Sequence, residues 1–239
     1  MVPADRREDP LVEAAVAKSH KRPLWDFDSM RVKPLFPTPL IEAAIDDSAL
    51  ITQLRDVVVE RARTIESVQH SNVGGWQSAP DFQTWSGEPG AQLITIATAA
   101  VNEATGIFVQ GELRRAAISW QVSAWANVNR AGSSNDLHFH PGAYWSACFY
   151  VDDGGIEGRE ALGGAIEFAD PRGPLPLMYQ PNVKMLFAGT VTAGLGERIY
   201  PKTGMLLVFP AWLGHSVTPY TGEATRISVA MNFAVAGTP

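Results

Sequence analysis

The sequence predicts a mainly β domain with flanking helices, built as a β-sandwich or barrel. Short apolar segments separated by turn residues fill the second half of the chain, which is typical of many short strands. A long segment in the middle alternates polar and apolar residues, as a half-buried strand does. Two segments with helical periodicity precede these strands and are expected to cover one face of the sheet.

Residues 1–34 are predicted to form an N-terminal arm, and residues 35–239 a single domain with two helices packed on the sheet. The arm is charged and interrupted by prolines, whereas a chain of 239 residues has the length of one large β domain. Residues 35–41 are expected to form an edge strand, because their two prolines exclude a position inside a sheet.

Both predicted helices have apolar residues at three- and four-residue spacing. The first follows the capping residues Asp46 and Asp47 and continues to Ile65, while the second runs from Gln92 to Thr105 and ends at Gly106. The residues between them, 71–92, are expected to form a loop anchored by aromatic side chains.

The alternating segment from 118 to 129 has one apolar and one polar face. The polar face, which includes Trp125 and Asn127, has two interpretations: exposure to water, or the lining of a cavity inside a barrel. The pattern alone does not decide between them. Further strands are predicted at 144–151, 164–168, 183–188, 197–200, 204–209, 215–218 and 225–233.

Charge, hydropathy and cysteine content argue against several kinds of partner and location. A net charge of −6 and a pI near 5.4 argue against nucleic acid or an anionic membrane as a partner. No apolar run is long enough to span a membrane, and the first residues lack a secretory signal. The single cysteine, Cys148, cannot form an intrachain disulfide and is expected to be a small buried residue, so we predict a reducing, cytoplasmic location.

Three histidines are candidate metal ligands. His138 and His140 lie two residues apart, a spacing that places both side chains on the same face of a β-strand. His215, from a neighbouring strand, could complete three corners of a coordination sphere whose open positions suit oxygen chemistry. His20 and His70 lack such a pattern and are predicted to be ordinary surface residues.

Arg226 and Ser228 share one face of the last predicted strand. A guanidinium can bind a carboxylate through two parallel hydrogen bonds, and a neighbouring hydroxyl can donate a third. The alternative is a surface arginine on an edge strand. The opposite face of the strand carries Ile227, Val229, Met231 and Phe233 and should belong to the core.

Several segments of the chain occur together in an order and spacing typical of one family: Trp125–Asn127, Asn135–Gly142, Ser146–Val151, Gly164–Phe168, Pro201–Gly204, Phe209–His215 and Arg226–Ser228. By these segments the chain, from about Leu35 to its end, resembles a bacterial and phage family of 2-oxoglutarate/Fe(II) oxygenases. The resemblance implies a double-stranded β-helix (jelly-roll, cupin-like) core, Fe(II) as the cofactor, and 2-oxoglutarate and O2 as co-substrates.

By this resemblance His138 and His215 occupy the two histidine positions of the metal motif, and His140 stands where most members have a carboxylate. These three residues are therefore the implied metal ligands and catalytic residues. Three neutral ligands leave a metal more positive than two histidines and an anion would. Asp136, which has the same strand parity, is an alternative acidic ligand.

The resemblance also implies that Arg226 and Ser228 bind the C5 carboxylate of 2-oxoglutarate. Tyr150 would donate a hydrogen bond to the same molecule, although a buried core tyrosine is an equally good interpretation. Asn127 is a further candidate for contact with the co-substrate, and Trp125 for lining the cavity.

The leading hypothesis is a dioxygenase, most simply a hydroxylase, that couples oxidative decarboxylation of 2-oxoglutarate to oxidation of a C–H bond. The alternative is a metal-binding jelly-roll that binds or senses a small carboxylic acid without oxidising it. A purely structural β-sandwich is a third interpretation. We expect a small-molecule or peptide substrate and no nucleic-acid or membrane partner, and a homodimer stays open.

Overall fold

The computed structural model describes residues 35–115, 118–174, 178–180, 182–183 and 194–237. The predicted arm over 1–34, and all but the first residue of the predicted strand 183–188, lie outside these ranges. Thr38–Pro239 form one compact unit. None of the helices in the described ranges is long and apolar enough to cross a membrane.

The β-strands of the described residues are two to ten residues long, and every pairing between them is antiparallel. The strands are β1 (Ile41–Ala44), β2 (Asn72–Val73), β3 (Trp76–Gln77), β4 (Gly106–Val109), β5 (Glu112–Arg115), β6 (Trp120–Asn129), β7 (Ser134–His138), β8 (Trp145–Asp153), β9 (Ile166–Phe168), β10 (Glu197–Ile199), β11 (Met205–Pro210), β12 (His215–Val217) and β13 (Arg226–Val235).

Two sheets form the framework, as predicted for a mainly β domain. The larger has six strands in the order β1-β11-β8-β13-β6-β3, and the smaller has five in the order β10-β9-β12-β7-β2. Aromatic and aliphatic residues from both sheets pack together, among them Tyr150 and Phe209 of the large sheet and Phe168 of the small one. This is the arrangement of a double-stranded β-helix.

The helices are α1 (Ser48–Thr64), α2 (Phe82–Trp85) and α3 (Gly87–Glu103), and a 3-10 turn spans Glu160–Leu162. As predicted, α1 is capped by Asp47, whose carboxylate accepts the Leu50 N–H at 2.9 Å. The second long helix begins five residues before the predicted Gln92. Pro89 does not prevent this, because N–H groups in the first turn have no partner within the helix.

The core lies between the helices and one face of the large sheet. Leu54 of α1 and Leu93 of α3 are fully buried there. The predicted apolar face of β13 is confirmed, because all four of its side chains are fully buried in this core: Ile227, Val229, Met231 and Phe233. The helices therefore cover one face of the sheet and leave its other face for the site.

Two predictions about elements were wrong, and one hairpin was missed. The edge strand begins at Ile41, not at residue 35, because Pro37 and Pro39 cannot donate to a ladder. The loop 71–92 contains β2, β3 and α2. The hairpin β4–β5 was not predicted; its two-residue turn has positive φ at Gln110 (52°) and Gly111 (84°), the conformation that a tight hairpin requires.

Candidate metal centre

The pairing of β7 with β12 brings two of the three histidines together. His138 ends β7 and lies opposite His215, which begins β12. His140 lies beyond the end of β7, so the prediction that both residues of the pair project from one strand was wrong. Its backbone N–H donates to the Ala211 carbonyl at 3.0 Å, and this loop places its ring centroid 5.0 Å from that of His138 and 5.1 Å from that of His215.

The geometry of the three imidazoles fits a metal ion. Each offers one nitrogen, and the three nitrogens lie within 4.8 Å of one another. The Nε2 atoms of His140 and His215 are 3.3 Å apart. Two nitrogens that bind one ion at about 2.1 Å, with an angle of about 90–110°, are separated by roughly 3.0–3.4 Å. The His140–His215 pair therefore already has the spacing that two ligands of one ion require, and the His138 nitrogen lies within 4.8 Å of both.

Backbone carbonyls orient two of the rings. His138 Nδ1 donates to the carbonyl of Asp136 at 2.7 Å, and His215 Nδ1 donates to that of Leu213 at 2.9 Å. With the proton on Nδ1, the lone pair on Nε2 is free for a metal. Asp136 contributes this carbonyl rather than its carboxylate: the residue is exposed, and the metal-binding group found among the described residues contains the three histidines alone.

Burial keeps two of the three histidines neutral. Desolvation, reinforced by the other two histidines, lowers the pKa of His140 from 6.5 to about 3. Desolvation also lowers the pKa of His215 from 6.5 to about 4, and His138 adds to the effect. Imidazole binds metals only in its neutral form, so neither residue has to release a net proton to bind a metal at neutral pH.

Acidification is expected to destabilise the metal-free protein more than it destabilises the variant His140→Asn. Between about pH 3 and 6.5 the unfolded chain, with its ordinary histidine pKa, binds protons that the folded chain excludes. The free energy of unfolding therefore rises with pH through this window. The contribution of the two histidines reaches its full value above about pH 6.5, the pKa of histidine in the unfolded chain. Urea denaturation of both proteins at pH 7 and pH 5 measures the difference, and equal pH dependence would contradict the burial of an uncharged His140.

A buried positive charge also lines this cavity. Arg226 is 2% exposed and Ser228 is 3% exposed, and both line the cavity as their shared strand face predicts. The Arg226 Nε finds no hydrogen-bond partner, and none of the ion pairs of the described residues involves this side chain. Burying an unpaired charge is costly, so this guanidinium is suited to an anionic ligand.

Tyr150 lies beside Arg226, with the guanidinium carbon 5.1 Å from the centre of its ring. Its hydroxyl is fully buried without a partner among the described residues, and burial raises its pKa well above the ordinary value. The phenol therefore stays protonated and can donate a hydrogen bond to a ligand. Cys148, expected to be a small buried residue, is partly buried against the apolar residues between the sheets and also lines the cavity. Burial raises the pKa of its thiol.

The cavity has a volume of about 490 Å³ and is lined by both sheets. The polar face of β6 faces it, which decides between the two interpretations of that strand. His70 is exposed, as predicted for a surface residue, and also borders the cavity. Sequence reasoning missed Gln77, which lines the cavity and is 5% exposed. The pairing of Gln77 with Asn127 across β3 and β6 explains its position, and no sequence pattern marked so short a strand. The polar face of β6 contributes Ser123, Trp125 and Asn127.

The central part of the chain matches a known family. Residues 123–232 match the model of the family described as "Putative 2OG-Fe(II) oxygenase". This segment contains the three clustered histidines, Tyr150, Arg226 and Ser228. A comparison with curated protein sequences gave no match.

Solved structures with a similar fold include a prolyl-4-hydroxylase from Pseudomonas putida, with a TM-score of 0.57, 16% identity and coverage of 84% of this chain and 94% of that one. A prolyl hydroxylase from Trichoplax adhaerens has a TM-score of 0.55, 10% identity and coverage of 82% and 83%. HygX from Streptomyces hygroscopicus, with nickel and 2-oxoglutarate bound, has a TM-score of 0.52, 11% identity and coverage of 83% and 84%. At these identities the likeness concerns the fold, which is the predicted double-stranded β-helix.

Proposed function

Because residues 123–232 match the model of a 2OG-Fe(II) oxygenase family, we propose that His138, His140 and His215 hold Fe(II), and that Arg226 and Ser228 bind 2-oxoglutarate in the same cavity. One observation carries the proposal. A buried guanidinium without an acidic partner among the described residues shares a cavity with a cluster of three imidazoles.

Fe(II), when bound, supplies the O2 activation that couples oxidative decarboxylation of 2-oxoglutarate, to succinate and CO2, to oxidation of a substrate C–H bond. The contribution of the chain is geometry. Two imidazoles are aimed by backbone carbonyls, so little reorganisation is needed to bind the ion. Around Arg226 and Ser228 the wall of the cavity is buried, which limits the access of water there and strengthens the attraction between Arg226 and an anion.

The proposed 2-oxoglutarate site follows the cross-strand register of the large sheet. Ser228 on β13 lies opposite Asn127 on one side and Tyr150 on the other. Arg226 is two residues away on the same face of β13. A carboxylate lying over this face would therefore meet one cation and up to three neutral hydrogen-bond donors. Asn127 is included in the proposed site on this register alone, and Tyr150 on its unpartnered hydroxyl.

The variant Tyr150→Phe is expected to bind 2-oxoglutarate about 5- to 10-fold more weakly, which corresponds to one lost hydrogen bond of about 1–1.4 kcal/mol. The free energy of unfolding of the metal-free protein should not fall, because the hydroxyl has no partner among the described residues. Calorimetric titration with 2-oxoglutarate and urea denaturation measure the two effects. Unchanged affinity would show that the hydroxyl does not contact the ligand.

Hydroxylation is the proposed reaction, supported by the fold shared with two hydroxylases, and the substrate is a small molecule or a peptide. Apart from Arg226 and the histidines, the described side chains that line the cavity are uncharged: they are amides, hydroxyls, a thiol and apolar groups. We therefore expect the part of the substrate that enters to be uncharged.

A non-catalytic jelly-roll that senses a small acid is not favoured, because the matching family is one of oxygenases. Turnover separates the two functions. The iron-loaded protein in air should convert 2-oxoglutarate to succinate, and His138→Ala should not. Binding of 2-oxoglutarate without succinate, with or without candidate substrates, would favour the sensor, whereas absence of both would contradict the proposed function.

Location and assembly stay as proposals. The single cysteine supports a cytoplasmic protein, and the acidic composition supports the absence of nucleic-acid or anionic-membrane partners. A homodimer is the assembly to test, by analytical ultracentrifugation.

A further inference from the structure

We propose that Asn232 is the positioning residue that makes His140 able to serve as the third metal ligand, and that Ser146 supports it. The inference rests on the metal site proposed above. It concerns the hydrogen bonds behind that site, on the side of the imidazole that faces away from the ion.

His140 differs from the other two histidines in what holds its Nδ1 atom. Backbone carbonyls only accept hydrogen bonds, so those next to His138 and His215 fix the proton of each ring on Nδ1. The Nδ1 of His140 instead lies 3.3 Å from the side-chain amide nitrogen of Asn232. A side-chain amide offers either a donor or an acceptor after a half-turn, so it can support either tautomer of the ring.

In the structure the hydrogen bonds form a chain with a single direction. The Ser146 hydroxyl donates to Asn232 Oδ1 at 2.8 Å, and Asn232 Nδ2 donates to His140 Nδ1 at 3.3 Å. The proton of the neutral His140 is then on Nε2, which donates across 3.3 Å to the lone pair of His215 Nε2. In this arrangement His140 has no lone pair facing the position of the metal.

Reversing the direction of these hydrogen bonds makes His140 a ligand. The imidazole changes from the tautomer with its proton on Nε2 to the one with its proton on Nδ1. The ring stays neutral, so no net proton is released. Asn232 then turns its amide to accept the Nδ1–H with Oδ1 and to donate with Nδ2 to the Ser146 oxygen. A hydroxyl donates and accepts equally well, so Ser146 supports both orientations of the amide.

The sheet fixes this pair more firmly than it fixes His140. Asn232 on β13 lies opposite Ser146 on β8 and Ser123 on β6, in the centre of the large sheet. His140 lies outside the strands, and the Trp125 ring is 5.6 Å from its ring between centroids. An amide held by a rigid sheet can therefore orient a ligand that is carried by a loop.

The test uses the whole protein, Zn(II) as a diamagnetic probe, and long-range 1H–15N spectra that report which ring nitrogen of each histidine carries the proton. In the wild type His140 should carry it on Nε2 without metal and on Nδ1 with Zn(II). The same tautomer in both states would overturn the inference. If His138 and His215 respond to Zn(II) while His140 keeps Nε2–H, this inference fails alone. If no histidine responds, the proposed metal site fails as well.

Two variants of Asn232 separate orientation from packing. Asn232→Leu, which cannot form the hydrogen bond, should bind Zn(II) about 10- to 100-fold more weakly. Asn232→Asp, whose carboxylate only accepts, should restore the affinity and place the proton on Nδ1 before metal is added. Affinity as low for Asp as for Leu would overturn the inference, since a merely structural role would not discriminate between donor and acceptor.

Two further variants keep the test decisive. Asn102→Leu removes a comparable bond, from the indole of Trp120 at 2.8 Å, away from the site, and should leave Zn(II) affinity unchanged. Ser146→Ala serves if the Asn232 variants do not fold. It should shift the metal-free His140 away from the Nε2–H form, because the hydroxyl no longer holds the amide, and an unchanged tautomer would count against the inference.

Discussion

The variant His215→Ala is expected to bind Fe(II) at least about 100-fold more weakly than the wild type and to form no detectable succinate. Loss of an outer-shell partner alone costs about 10- to 100-fold in metal affinity, so loss of a ligand should exceed that range. His215 is 4% exposed and its Nδ1 is fixed by the Leu213 carbonyl, and the cluster of possible ligands among the described residues contains only His138 and His140 besides it. Anaerobic Fe(II) titration and a succinate assay measure both effects.

The matched control for His215→Ala is His70→Ala. His70 borders the same cavity but does not belong to the cluster of possible ligands, so its removal should leave the affinity for Fe(II) unchanged. Urea denaturation of both variants shows whether they fold. A folded His215→Ala protein that binds Fe(II) as the wild type does would exclude the cluster as the iron site.

Arg226→Met is expected to weaken 2-oxoglutarate binding by about 30- to 5,000-fold while leaving Fe(II) affinity nearly unchanged. Truncating one partner of a buried charged pair costs about 2–5 kcal/mol, which gives this range of affinity. The free energy of unfolding without ligand should be equal to that of the wild type or higher, because methionine replaces a buried charge that lacks an acidic partner among the described residues. A gain in stability with a loss of binding is typical of a residue kept for function.

Arg198→Met is the control for the loss of an arginine. Arg198 pairs with Glu167 on the surface, so its replacement should not affect the affinity for 2-oxoglutarate. Arg226→Lys should be intermediate, because an ammonium keeps the charge but cannot form two parallel hydrogen bonds. Calorimetry with the iron-loaded proteins measures these affinities, and equal affinity in Arg226→Met and the wild type would place the carboxylate elsewhere.

The faces of the long strands could be predicted from the sequence. Alternation placed Arg226 and Ser228 on one face of β13 and four core residues on the other, and the structure has this arrangement. The period of two is a local property of an extended chain, so it needs no knowledge of the partner strand. The capping of α1 by Asp47 was predictable because it is also local: the carboxylate accepts from an N–H only three residues away.

The parts that sequence reasoning missed depend on contacts between distant segments. His140 lies outside β7, and a hydrogen bond to Ala211, far along the chain, helps to place its ring. Gln77 reaches the cavity through a two-residue strand, which is too short for any periodicity. The Asn232 bond to His140 joins residues 92 positions apart, and nothing in either local sequence indicates it.

Anaerobic titration of the iron-loaded protein with 2-oxoglutarate, followed by visible absorption, tests the central claim most directly. Chelation of Fe(II) by the 2-oxo acid gives a weak charge-transfer band, which appears only when the metal and the co-substrate share one site. We predict a saturable band at one 2-oxoglutarate per iron, absent in His215→Ala and shifted to much higher 2-oxoglutarate concentration in Arg226→Met. No band from a folded, iron-loaded wild-type protein would contradict the assignment of this cavity to both groups.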